Sequence, residues 1–143
     1  MAGPIAVLDV TYVAEVALTS SQFCAVVVGT DADEMALPSG ANAGKFLGIL
    51  QDAPAINAQG RVRKLGLSWA MASELIARGN ALEIANSSGH LRTAIAGIGS
   101  YCGTAEEAAT EGDRFLMFVL PVELTGSDVT FSSSSSSSSS STT

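Results

Sequence analysis

A chain of 143 residues is long enough to bury a core of its own, and its net charge of −7 repels a phosphate backbone, which argues against nucleic-acid binding through a basic face. Apolar residues make up 47% and charged residues 15%, apolar for a lone soluble protein and a sign that part of the surface meets a partner. The longest uncharged apolar runs, such as Phe23 to Val28, are far too short to cross a bilayer, and the N-terminus meets Asp9 without a basic n-region, so neither a membrane segment nor a secretory signal is expected.

In chain order, residues 1–21 are mildly apolar, with no turn punctuation after Pro4 and no period that settles helix or strand; they read as an extended N-terminal arm. Residues 22–131 form the β-rich domain, in which short apolar or β-branched runs are broken every eight to twelve residues by turn residues, as in a compact β-barrel or sandwich. The expected strands are Phe23 to Val28, Glu34 to Leu37, Phe46 to Gln51, Arg61 to Leu67, Ser68 to Ala72, Ala81 to Ile84, Leu91 to Ala94 and Arg114 to Leu120. Between them lie Gly29-Thr-Asp31, Pro38-Ser-Gly40, Asn57-Ala-Gln-Gly60, Arg78-Gly-Asn80 and Asn86-Ser-Ser-Gly89.

One short helix is expected over residues 104–111: Thr104 and Glu107 have capping-box spacing, Ala favours the helix, and Gly112 stands where a terminating glycine belongs. The run that follows, Arg114-Phe-Leu-Met-Phe-Val-Leu120, is almost continuously apolar and reads as a central strand ending at Pro121. Residues 132–143 are ten serines and two threonines, a low-complexity tail with no side chain able to offset the entropy of ordering it.

The motifs that could carry chemistry are incomplete. Ser39 to Leu50, SGANAGKFLGIL, imitates a phosphate-binding loop, but only three residues separate Gly40 from Gly44 and Phe46 replaces the hydroxyl that would hold magnesium. Counted from Asp31, the acidic cluster Asp31-Ala-Asp33-Glu34 has Ala36 and Asn42 where a calcium loop needs glycine and glutamate. Gly97-Ile-Gly99-Ser-Tyr-Cys-Gly103 places its third glycine one residue late for a dinucleotide fingerprint. His90 is the only histidine and, with two distant cysteines, lacks metal-finger spacing. Cys24 and Cys102 read as buried free thiols, and Glu106 and Glu107, as neighbours on a helix, would point apart. No convergent nucleophile, base and oxyanion donor emerges, so a structural role is the stronger expectation, with no cofactor and no metal. The alternative is a small ligand-binding or enzymatic barrel using Trp69, Tyr101 and His90, although a lone Trp is more often core or interface.

Taken in order, Val26-Val-Val-Gly29-Thr30, Ala36-Leu-Pro38, Leu47-Gly-Ile-Leu-Gln-Asp-Ala-Pro54, Gly60-Arg-Val62, Leu75-Ile-Ala-Arg-Gly-Asn80 and Gly103-Thr-Ala-Glu-Glu-Ala-Ala-Thr-Glu-Gly-Asp113 resemble the capsid cement, or head decoration, proteins of tailed bacteriophages, over residues 22–121. Gly79-Asn80 stands where that family often has Gly-Asp, and both residues suit a turn. The resemblance implies a structural virion protein, made in the bacterial cytoplasm and seated as a homotrimer on the outer surface of the expanded capsid. Its partners would be the major capsid protein and itself, with no direct nucleic-acid or membrane contact. In that setting the apolar arm residues Ile5, Val7, Leu8, Val10, Tyr12 and Val13 are candidate capsid contacts, either adding a strand to a neighbouring subunit or forming one within their own domain. Another virion β-module, in a tail or fibre, is the alternative placement.

Overall fold

The computed structural model describes residues 4–41, 43–95 and 99–124. They form nine strands: β1 (Ile5–Ala14), β2 (Ala25–Val28), β3 (Glu34–Ala36), β4 (Phe46–Leu50), β5 (Gln59–Met71), β6 (Ala81–Ile84), β7 (Leu91–Thr93), β8 (Gly99–Ala105) and β9 (Arg114–Leu124). Their order in one sheet is β1-β3-β2-β4-β5-β9-β8-β6-β7, and β1 also pairs with β5. The pairings of β1, β3, β2, β4 and β5 therefore return on themselves, while the sheet as a whole stays open at β7 and is sandwich-like rather than a closed barrel.

Alternation along β2, together with a register shift in β4 that leaves Leu47 unpaired between Phe46 and Gly48, explains the layering. Ala25, Val27, Phe46 and Ile49 enter the larger core with Ile76, Leu82, Ile84, Leu91, Phe115 and Met117. Val26, Leu47 and Leu50 point the other way and join Ala14, Leu18, Met35 and Val62 in a second core. Both strands are thus covered on both faces, which is why their sequences are continuous apolar runs rather than alternating ones. Each fully buried Leu, Ile or Phe contributes about 1.5–3 kcal/mol of transfer free energy.

Four expectations are corrected. Ile5–Ala14 is a strand of this chain's own sheet rather than a free arm: it pairs antiparallel with β5 from Ile5 opposite Leu67 to Val13 opposite Gln59, and Val13 and Ala14 pair parallel with β3. These pairings satisfy backbone donors and acceptors along an edge of β5 that would otherwise be bare.

No helix forms over residues 104–111. Thr104 and Ala105 end β8 opposite Phe118 and Met117, and Ala109 exchanges two backbone hydrogen bonds with Ile76, at 2.8 and 2.9 Å. Glu107, instead of closing a capping box, accepts a hydrogen bond from the Leu116 amide at 2.9 Å. Two turns of helix are too short to outcompete these long-range bonds.

The expected strands Arg61 to Leu67 and Ser68 to Ala72 are one, β5. It bends where Lys64 has no partner across β1 and where Gly66 takes φ 125° against the backbone of Ile5 and Val7, a conformation and closeness that exclude a side chain. Finally, β9 continues past Pro121 to Leu124, the proline falling at a register shift between β8 and β9 where no ladder donor is required. The serine run lies outside the described residues.

Candidate functional site

The β1–β5 seam carries a polar cluster. Asp9 receives Nε and Nη2 of Arg63 at 2.9 and 3.1 Å, and Arg61 Nε lies 3.3 Å away. Arg63 also donates to the Leu67 carbonyl at 2.9 Å, and its side chain is nearly buried. This fork-to-carboxylate geometry fixes the register of β1 on β5. Next to it, Lys64 donates to the Tyr12 hydroxyl at 2.9 Å with its ammonium 5.4 Å from the ring centre.

The six candidate contact residues divide in two. Val10, Tyr12 and Val13 are half-buried in the seam, with Tyr12 packed against the second core. Ile5, Val7 and Leu8 remain exposed, at 58%, 65% and 49%.

These exposed side chains border an apolar sheet face. Ile5 lies opposite Leu67, Leu67 opposite Phe118, and Phe118 opposite Thr104, so one row crosses four strands on one side of the sheet. Leu8 stands opposite Leu65, and Trp69 opposite Leu116, in flanking rows. Leu120, on the same side of β9 as Phe118 by alternation, is 47% exposed. At one end, the Arg114 guanidinium covers Trp69 at 4.4 Å and reaches Phe23 at 5.9 Å.

The motifs singled out for catalysis or ligand binding are used structurally. Of Ser39 to Leu50, Asn42 lies outside the described residues, residues 43–45 lead into β4, and Phe46 sits in the larger core where a phosphate loop would hold a hydroxyl. Asp31 to Glu34 is the β2–β3 turn, in which Glu34 accepts from the Asp31 amide at 3.2 Å and the Asp33 carbonyl accepts from Val13. His90 closes the β6–β7 turn, its amide bonded to Asn86; Trp69 lies on β5 and Tyr101 on β8 opposite Glu83. Gly97 is outside the described residues, and Gly99 to Gly103 belong to β8. Among the described residues no three His, Cys, Asp or Glu side chains converge as metal ligands would.

Cys24 and Cys102 are free and buried, as expected. Burial pushes the Cys24 thiol up to about 11. It pushes the Cys102 thiol up as well, with the nearby Glu83 carboxylate acting in the same direction.

Sequence reasoning missed the most unusual polar group. Glu83, in β6, is 1% exposed; its Oε2 accepts from Arg92 Nε at 2.8 Å, while Oε1 has no hydrogen-bond partner among the described residues. The signal was present in the β6–β7 hairpin, because pairing Ile84 with Leu91 places Glu83 opposite Arg92.

No known family model and no curated protein matches the sequence. Among solved structures, the fold is similar to the N base of the head fiber protein gp8.5 of bacteriophage phi29, with a TM-score of 0.51 and 19% identity, over 82% of this chain and 97% of that one.

Proposed function

We propose that this protein is a structural component of a tailed-phage virion that seats on the outside of the expanded head as a homotrimer and stabilises the shell by bridging major capsid subunits. The fold shared with a phage head fiber base over 82% of the chain is the observation that carries this reading, and the ordered run of cement-protein motifs supports it. Such a role works by linkage: a protein that binds the assembled shell and not free subunits shifts the equilibrium toward the shell, by about 2.7 kcal/mol per site at a free concentration 100 times its Kd. Three copies engaging together raise the effective concentration of each further contact, so modest contacts suffice. Neither a catalytic group nor a cofactor is needed, and the acidic surface suits a protein displayed away from packaged DNA. The protein is made in the host cytoplasm and ends on the outer surface of the capsid.

A second reading, the base of a head fiber, is favoured by the same structural likeness and differs in what extends from the shell rather than in where the domain sits. Co-sedimentation of the full chain with expanded capsids that lack it, with unexpanded procapsids and free capsid subunits as controls, tests both. Saturable binding to the expanded shell alone is expected; a folded protein that binds none of the three refutes the head location. Deleting residues 2–20 would remove β1 and with it the β5 pairing, so the contact test is Val7→Glu, an exposed position outside the β1–β5 register. It should weaken shell binding and leave the fold intact.

A further inference from the structure

We propose that the outer face of β5 and β9, centred on Leu67 and Phe118 and flanked by Ile5 and Leu120, is buried against a second copy of this chain. The inference rests on the homotrimeric reading above and names the surface that makes the oligomer.

The face is a built row. Ile5, Leu67 and Phe118 stand directly opposite one another on three adjacent strands, with Leu65 and Trp69 on either side along β5. From Leu65 to Trp69 it runs about 14 Å along the strand, and the three strands cover about 10 Å across. That is roughly 140 Å² in projection, a dry centre within a standard interface of about 800 Å² per partner. Sequence alternation would ordinarily place polar side chains on the solvent side of β5 and β9, whose opposite side holds Ser68, Ala70, Phe115, Met117 and Val119 in the interior. Here both sides are apolar: in the single chain Leu116 is already buried and Leu65, Leu67, Trp69 and Phe118 are half-buried, while Ile5 and Leu120 at the flanks remain exposed and are left to be covered.

Charge selects the occupant. At −7 per chain, copies repel one another wherever carboxylates face each other. The named side chains carry no carboxylate, and the face ends at the Arg114 guanidinium stacked on Trp69. It is therefore a surface through which two acidic copies can meet without a like-charge penalty. Interfaces of permanent self-association are also more apolar than transient ones. Timing points the same way. A shell that the protein meets only after expansion would leave this face bare in the newly made pool, an aggregation liability, whereas a second copy is present from synthesis.

The test is the mass of the full chain in solution. By sedimentation equilibrium the wild type should exceed the 14.5 kDa of one chain, and Leu120→Glu and Phe118→Glu should lose the larger species. Leu75→Glu, at a position 72% exposed in the β5–β6 connection and on neither β5 nor β9, should keep it. Circular dichroism shows whether each variant is folded. Because Leu120 is exposed in the single chain, its substitution does not threaten the core. Maleimide labelling supplies a second measurement independent of mass: the two native thiols are buried, so Leu120→Cys should react slowly and Leu75→Cys rapidly. A wild type that stays at single-chain mass up to roughly 100 µM overturns the proposal. So does equal labelling of the two introduced cysteines, or an unchanged mass for folded Leu120→Glu. A single-chain wild type that still binds expanded shells assigns the face to the capsid and overturns this inference alone. An associated wild type that ignores shells overturns the head location and leaves this inference standing.

Discussion

Replacing Arg92 with methionine should cost far more than replacing its partner Glu83 with leucine, although both changes delete the same ion pair. The reason is unequal burial: the Glu83 side chain is 2% exposed and that of Arg92 is 25% exposed. At the 2.8 Å separation of Nε and Oε2, the gross attraction is about 6 kcal/mol at an effective dielectric constant near 20, and most of it is spent against desolvation of the carboxylate. Arg92→Met leaves that carboxylate buried with neither oxygen bonded to a guanidinium, and removing one partner of such a pair costs about 3–5 kcal/mol. Glu83→Leu leaves a guanidinium that can turn into solvent, and it puts an apolar side chain in a fully buried position, so its cost should stay under about 1.5 kcal/mol. The double substitution should fall within about 1 kcal/mol of the wild type, or exceed it, because the desolvation penalty disappears with the charge. Urea unfolding of all four proteins at one fixed protein concentration gives the cycle, with the m-value checking that each unfolds from a comparable state. Equal losses for the two single substitutions, or a loss below about 1 kcal/mol for Arg92→Met, would refute the argument from burial.

Four further outcomes follow from the same structure. Gly103→Ala should lower the thermal midpoint by roughly 10 °C, since φ is 146° there and a Cβ would collide with the Phe118 carbonyl oxygen; a shift under about 2 °C would show that β8 can move away from β9. At pH 8 the native protein should leave Ellman's reagent unreacted and release two equivalents on unfolding, because burial holds the Cys24 thiol at about 11 and raises that of Cys102. The sign for stability is that thiols raised in the folded state favour folding fully below their unfolded value and lose that contribution as pH climbs toward 11, so a melting midpoint that rises over that interval would contradict it. Arg114→Ala should cost about 0.5–1 kcal/mol and change the emission of the single tryptophan, whose ring the guanidinium covers at 4.4 Å; an unchanged spectrum would mean the stack is absent in solution.

The strands legible in the sequence are those whose burial leaves a local trace. Phe46 to Leu50 is a continuous apolar run because its neighbours cover it on both faces, Arg114 to Leu120 is one whose Phe115, Met117 and Val119 side lies in the larger core, and Ala81 to Ile84 is bounded by its own turns. The failed phosphate and calcium loops were legible too, since a missing hydroxyl or glycine excludes a ligand before any fold is known. β1 left no such trace: its outer half is exposed and its inner half pairs with residues about fifty positions away, so its alternation alone could not choose between a partner's sheet edge and its own. The 104–111 segment shows the opposite failure, a strong local helix signal overridden by backbone bonds to Ile76 and Leu116.

The candidate site divides along the same line. Composition alone states that this chain has more apolar surface than a solitary acidic protein needs, because 47% apolar residues cannot all be buried at this length. Which residues form that surface depends on register. Only the pairing of Ile5 with Leu67 and of Leu67 with Phe118 brings three separated side chains into one row, and only the bend at Lys64 and Gly66 sets which side of β5 faces out. A one-residue slip would send the whole row into the interior, so the identity of the contact face belongs to the tertiary structure.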